Sequence, residues 1–487
     1  MRLISRIITL SFFVLQLAGA DEFIELKNSQ GKAIRAELLS LDGDSLRIRR
    51  VDGRPFTLSL SQLSTESQDL VRDALEPEPN LSSSGTITLA FTDQSHHRSG
   101  VPVPMTDGSS TDRHHTHGGK RMLAIRALRE TEDAEAIERV NGSAQELKRM
   151  YEQLDRYWLF SSYGKLWVDT VTVAPVVTIS DEVGSDPKVA AEAARNAAAK
   201  ALSKSDFKDL ENIYDFVTVI FAREQRLGAG LGAVRGKKAK LGDFRYSTLI
   251  HELSHNLGQG PHFDAWIPKQ REDPIGGLGV YLPSGHPYSS LGGFQIENKN
   301  TLTEPLQAKQ RFGWVTMGPK SADIQIVKNS GRYRINRFDV NEPHGVLGLL
   351  IDRPGSALGG SEETKVYSHY LLSFVASKTA ITEQPDPVNN SLVATLGKAM
   401  GTGLVVERVE YDKEKGLLTR TCIVDCTYEK EAKLVTRRNL QAAEALSNCF
   451  LQEGETLMDE PAGISITVVS IGGTGSNRYI DVDLELK

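Results

Sequence analysis

The chain has 487 residues, which at roughly 150 per domain is room for two to four domains and excludes a single small module. Lys and Arg total 57 against 63 Asp and Glu, a net charge of −6, so no global basic surface recommends a nucleic-acid partner. Three Cys are too few for a disulfide framework or a four-thiolate zinc site, so any metal is to be sought among His and carboxylates.

Arg2 and Arg6 flank the start of an apolar run, Ile7 to Leu15, and Leu17-Ala18-Gly19-Ala20 supplies the small residues that signal peptidase reads. The pattern predicts a signal peptide at 1–20 and an exported chain, secreted or periplasmic, beginning at Asp21. The run is too short for a comfortable membrane span, and no other stretch is long enough to cross a bilayer.

Four short strand-like pieces follow, Phe23 to Lys27, Ala33 to Ser40, Ser45 to Val51 and Phe56 to Ser59, separated by turns such as Asp42-Gly43-Asp44 and closed by a helical piece at Ser64 to Leu75. They predict a small curled sheet over 21–75. A linker with Pro and Ser, Glu76 to Gly85, opens a stretch to residue 117 that holds His96, His97, His114, His115 and His117. Nothing periodic orients these imidazoles, so a polar loop is the reading.

Between 118 and 317 strands alternate with helices, which argues for an α/β layer around a mixed twisted sheet. Met122 to Leu128 reads as a buried strand and Glu132 to Trp158 as a helix interrupted at Asn141-Gly142. Leu166 to Ile179 suits one or two strands, Lys188 to Lys204 an Ala-rich helix, and Tyr214 to Ala222 a central strand. Beyond Trp314 the pattern becomes mainly β over 318–487, with strands such as Arg332 to Ile335, Val346 to Ile351, His369 to Val375 and Ile464 to Ile471, and one helix candidate at Val435 to Ser447. The whole is an α+β multidomain chain.

The chemistry concentrates in His251-Glu252-Leu253-Ser254-His255-Asn256-Leu257-Gly258-Gln259-Gly260-Pro261-His262. Tyr246 to Leu257 suits a helix, on which His251 and His255 stand one turn apart on the same face, close enough to share one zinc. Glu252 adjoins these ligands without being one, and is placed to take a proton from an attacking water as general base. Gly258 suits a sharp helix stop, after which the chain turns back and offers His262 as third ligand. Two solvated His on an ordinary helix would give the same spacing, but with Glu252 on a buried face and no metal they would be costly to desolvate.

The segment resembles the metzincin zinc endopeptidases, and its surroundings resemble their gametolysin-like branch. Ser161-Ser162-Tyr163-Gly164-Lys165-Leu166 is similar to the stretch ahead of the catalytic helix, and Gly228 to Gly236 to the edge strand on which a substrate backbone pairs as an added strand. Tyr288-Ser289-Ser290-Leu291-Gly292-Gly293 and Leu306 to Val315 resemble the turn under the metal and the exit from the catalytic domain. Residues 21–75 resemble the Sla-one homology domain, an SH3-like small β-barrel. These resemblances imply a zinc metalloendopeptidase that hydrolyses extracellular protein or peptide. The family's third His normally falls where this chain has Pro261, so Asp264 stands as an alternative to His262. The family's Met beneath the zinc is Leu291 here. His286 or Tyr288 can assist an oxyanion or serve structure alone. Two other readings stay open: an inactive surface or adhesion protein on a metzincin scaffold, and an amidase acting on cell-wall peptide. Cys422 and Cys426, about 13 Å apart on one strand face, cannot bridge each other, which leaves a pairing of one of them with Cys449 open.

Overall fold

A computed structural model describes residues 24–28, 30–42, 44–50, 55–68, 71, 86–90, 113–141, 143–183, 186–221, 230–286, 289–292, 303–320, 322–354, 366–376, 402–412, 418–426 and 449–487. The signal-peptide region, the linker at Glu76 to Gly85, His96, His97, Tyr288 and the helix expected at Val435 to Ser447 lie outside them. The chain divides into two compact units, with the break between Asn80 and Leu81.

In the small unit, β1 (Ile24–Lys27), β2 (Ala33–Asp42), β3 (Ser45–Arg50) and β4 (Pro55–Ser59) form an antiparallel meander in that order. Leu46 and Ile48 alternate inward between outward Arg47 and Arg49, as a half-buried strand requires. Leu26, Ala36, Leu60, Leu63 and Val71 complete the core. A tight turn at Leu60–Gln62 brings Leu63 back to bridge Asn28.

The large unit begins with a seven-stranded sheet of β5 (Ile87–Ala90), β6 (Gly118–Arg129), β7 (Leu166–Val173), β8 (Val177–Ile179), β9 (Phe216–Phe221), β10 (Gly230–Gly232) and β11 (Lys238–Leu241). Its order is β10-β11-β9-β6-β7-β5, with β8 on the end of β6. The interior pairings are parallel, and β5 and β10 are antiparallel edges. The helix expected across Glu132 to Trp158 is two, α1 (Ala134–Asn141) and α2 (Ala144–Ser161). Then come α3 (Pro187–Ala201), α4 (Phe207–Ile213), which the apolar pattern did not reveal, and α5 (Tyr246–Asn256).

Side-chain alternation along β6 serves both faces of this sheet. Met122 and Ala124 pack with Met150, Tyr151, Leu154 and Trp158 of α2 and with Leu249, Ile250 and Leu253 of α5. Leu123 and Ile125 pack with Ala190, Ala194 and Ala198 of α3 on the opposite face. Asp186 starts α3 by accepting from the N–H groups of Lys188 and Val189.

An eight-stranded sheet follows: β12 (Phe263–Pro268), β13 (Gly279–Leu282), β14 (Met317–Gly318), β15 (Ile324–Val327), β17 (Gly348–Asp352), β18 (Val366–Val375), β19 (Gly403–Asp412) and β20 (Leu418–Val424), ordered β13-β12-β20-β19-β18-β17-β15-β14. The remaining strands, β16 (Gly331–Asn336), β21 (Thr456–Asp459), β22 (Ile464–Gly472) and β23 (Tyr479–Leu486), form a four-stranded sheet. The two sheets share a core of Leu349, Tyr370, Leu372, Val406 and Val424 against Leu457, Ile466, Val468, Ile480 and Val482. Between the two large sheets runs α6 (Leu306–Arg311).

The β-rich region reaches further back than Trp314. β12 runs parallel to β20, Phe263 opposite Thr421 and Trp266 opposite Val424, so the residues directly after His262 belong to the same sheet as residues far along the chain. All three thiols are free and buried, although the Cys426 N–H donates to the Cys449 carbonyl at 3.1 Å and so brings those two residues side by side. A disulfide with Cys449 is not formed. Among the described residues no helix is long and apolar enough to cross a membrane.

Candidate metal centre

α5 carries Leu249, Ile250 and Leu253 into the core, and the opposite side of its turns brings His251 and His255 together. Tyr246 at its start is tethered by its hydroxyl to the Gln153 carbonyl of α2 at 3.1 Å. At its end Gly258 adopts φ +119°, a conformation that side chains disfavour, and its N–H donates to the His255 carbonyl at 2.9 Å. The Arg311 guanidinium holds the Gly258 carbonyl at 2.8 Å. The chain thereby reverses and delivers His262.

The coordinating atoms of His251, His255 and His262 all lie within 4.8 Å of one another, and among the described residues this is the one group of three such donors. Nε2 of His251 is 3.2 Å from Nε2 of His262. Two nitrogens on one tetrahedral ion at ordinary bond lengths stand roughly 3.3 Å apart, so the spacing suits a shared ion. Nδ1 of His251 faces the Ser290 carbonyl at 2.9 Å and Nδ1 of His255 faces the Gln259 carbonyl at 2.7 Å. Each carbonyl accepts an Nδ1–H, which leaves the Nε2 lone pair free to bind.

The electrostatics agree with neutral imidazoles. Burial, then the neighbouring His255 and His262, hold His251 down to about 3 against the weaker pull of the Ser290 carbonyl. Burial also lowers His255. Imidazoles that burial keeps unprotonated, as at His251 and His255, are what a cation site needs.

Glu252, only 5% exposed, lies against the edge strand β10. A Cβ on Gly230 would fall 2.0 Å from its Oε1, and one on Gly232 would fall 2.3 Å from its backbone oxygen. The two glycines thus admit the carboxylate between helix and strand. Burial raises Glu252 to about 7, opposed by the positive charge of Lys240 and an N–H donated by Gly232. Asn256 ties the chain beyond β10 to the helix, its amide donating to the carbonyls of Ala233 at 2.8 Å and Lys238 at 3.0 Å.

Asp264, the alternative third ligand, is not in the convergent group. Its carboxylate accepts from the Tyr281 hydroxyl and from the Ser284 N–H at 2.7 Å. His286 is buried with Nε2 at 3.1 Å from Glu407 of β19, so its ring serves the join to the C-terminal sheet. Leu291 is fully buried among Leu253, Leu257, Phe263 and Phe312, filling the volume below the helix. Of the His-rich stretch, His115 stacks near Phe216 and His117 bonds Thr116, away from the cluster.

Sequence reasoning missed Asn256, Arg311 and, above all, Glu304. The Glu304 carboxyl, 1% exposed, accepts from Ser254 and Ser290 beneath the cluster. Its one sequence signal is an acidic residue before Pro305 at a helix start, which points to a cap rather than to a site. No protein-family model, curated protein or solved structure matches this chain.

Proposed function

We propose that the chain is an exported, metzincin-like zinc endopeptidase, with His251, His255 and His262 as the metal ligands and Glu252 as the general base. The observation that carries this reading is the convergence of three imidazoles beside the buried Glu252 carboxyl of α5, which lies against an edge strand. An all-imidazole donor set suits zinc. A zinc ion held there supplies Lewis acidity, polarising a carbonyl and acidifying water.

The remaining steps belong to the chain's own residues. β10 closes the strand order of its sheet, and its glycines let an extended substrate backbone lie close and pair as a further strand. Glu252, raised to about 7 by burial, is poised to accept a proton from the attacking water near neutral pH and to return it to the departing amine. Burial around Leu253, Leu257 and Leu291 keeps the helix seated while the imidazoles stay at its surface. We further propose that residues 21–75 act as an SH3-like binding module, that cleavage after Ala20 releases the mature protein, and that 118–317 and 318–487 are its catalytic and β-rich parts.

The test is zinc content measured together with cleavage of an unfolded protein substrate, for mature wild type and Glu252→Ala. One zinc per chain in both, with cleavage lost in the variant, is the expected result. Zinc without cleavage of any protein by wild type favours the binding-protein reading, and absence of zinc overturns the metal centre.

A further inference from the structure

Glu304 has no part in the proton transfers proposed above, yet its carboxyl is buried directly behind the metal-bearing helix. Its Oε1 accepts from the hydroxyls of Ser254 and Ser290, each at 2.8 Å, and those hydroxyls are 3.0 Å apart. Ser254 belongs to α5 and precedes His255. Ser290 belongs to the turn at 289–292, and its carbonyl is the group that Nδ1 of His251 faces at 2.9 Å. One carboxylate oxygen therefore joins the helix that carries two imidazoles to the turn that orients the first of them.

The carboxylate is itself held in place. Its backbone N–H donates to the Ser161 hydroxyl at 3.2 Å, while the buried Lys309 ammonium donates to the Ser161 carbonyl. Lys309 also stands 4.0 Å from the centre of the Tyr163 ring. Burial raises the Glu304 carboxyl and lowers Lys309 well below its ordinary value, and an apolar side chain at position 304 would fill the same space without burying a polar group. What a carboxyl adds over an apolar group is directional hydrogen bonding to two separate segments at once.

We propose that Glu304 is a positioning residue for metal binding: acting through Ser254 and Ser290, it holds α5 and the turn in the register at which the Ser290 carbonyl fixes His251 with Nε2 toward the cluster. The inference rests on the metal-centre reading above. Outer-shell hydrogen bonds of this kind change metal affinity by about 10-fold to 100-fold.

Zinc dissociation constants, measured by competition with a chromogenic chelator on the mature chain, test it alongside the melting temperature of each metal-free protein. Ser254→Ala and Ser290→Ala are expected to weaken zinc binding by about 10-fold or more. Glu304→Ala is expected to do the same, and Glu304→Gln, which keeps an acceptor oxygen, to recover most of that loss. Should Glu304→Ala fail to fold, the two serine variants carry the test. Wild-type affinity in both of them, whatever the melting temperature does, overturns the positioning role alone. A wild-type chain that takes up no zinc overturns the metal centre and this role with it.

Discussion

At Glu252, the proposed base, the same burial that costs stability raises the carboxyl toward neutral pH. Its carboxyl is raised to about 7 against an ordinary value near 4.5, so over the range between those values the fold favours the protonated form, and only above it is the group free to accept a proton. A cation held by the neighbouring imidazoles lowers this value, so cleavage is expected to fall away as pH drops from about 7 toward 4.5, which a pH–rate profile between pH 4 and 9 checks. Glu252→Gln removes the base while keeping the shape, and is expected to lower kcat by about 10²-fold to 10⁴-fold with zinc retained. The imidazoles give a second pH dependence. His251 is depressed from 6.5 to about 3 in the folded chain, so between those values the unfolded chain binds the proton that the folded one refuses. Stability of the metal-free protein is then present above 6.5 and lost as pH falls toward 3. Urea unfolding with chelator present, at pH 7.5 and 5, should show that loss in wild type and a flatter dependence in His251→Asn.

At the scale of elements, β10 and α5 are matched by what their contact omits. An added methyl at Gly230 meets the Glu252 carboxylate, whose flexible end can move aside, whereas one at Gly232 meets the backbone of α5, which cannot move without its imidazoles. Gly230→Ala is thus expected to cut cleavage about 10-fold or more at unchanged zinc affinity, by displacing the base. Gly232→Ala is expected to weaken zinc binding as well, and chelator competition beside a cleavage assay separates the two. The pattern of these elements was partly legible beforehand. α5 and its two His were readable because helical spacing is local, and Gly258 because a helix stop demands its conformation. β12 was not, since Phe263 to Pro268 pairs on one side with β13 and on the other with β20, which is remote in sequence. The choice between His262 and Asp264 turned on Tyr281 and Ser284, and Glu304 on two serines in different segments. Such partnerships leave no periodic trace.

For the molecule as a whole, β12 couples the segment after His262 to the C-terminal sheet. Ala265 and Ile267 share a core with Leu306, Leu371 and Val409, and removing residues 318–487 would expose these apolar faces and leave β12 without β20. A chain ending at Met317 is expected to be insoluble or to lack cooperative unfolding, which circular dichroism during a thermal melt would show. The cysteines supply a further check on the packing. With Cys422, Cys426 and Cys449 all buried and raised well above their ordinary thiol range by that burial, a thiol reagent should label none in the native protein and three in denaturant.

The pairing of β12 with β20 also sets an order of events during synthesis. α5 and its two imidazoles can form as soon as their own stretch of chain is made, because helical contacts are short-range. The strand that follows His262 finds β13 nearby in sequence but must wait for Leu418–Val424 before its second neighbour exists. Pairing on both sides of the strand behind the third imidazole is thus completed only after most of the polypeptide has been made. Until then β12 has β13 alone as a strand partner, and a truncated chain is expected to hold His262 less firmly than the 487-residue chain.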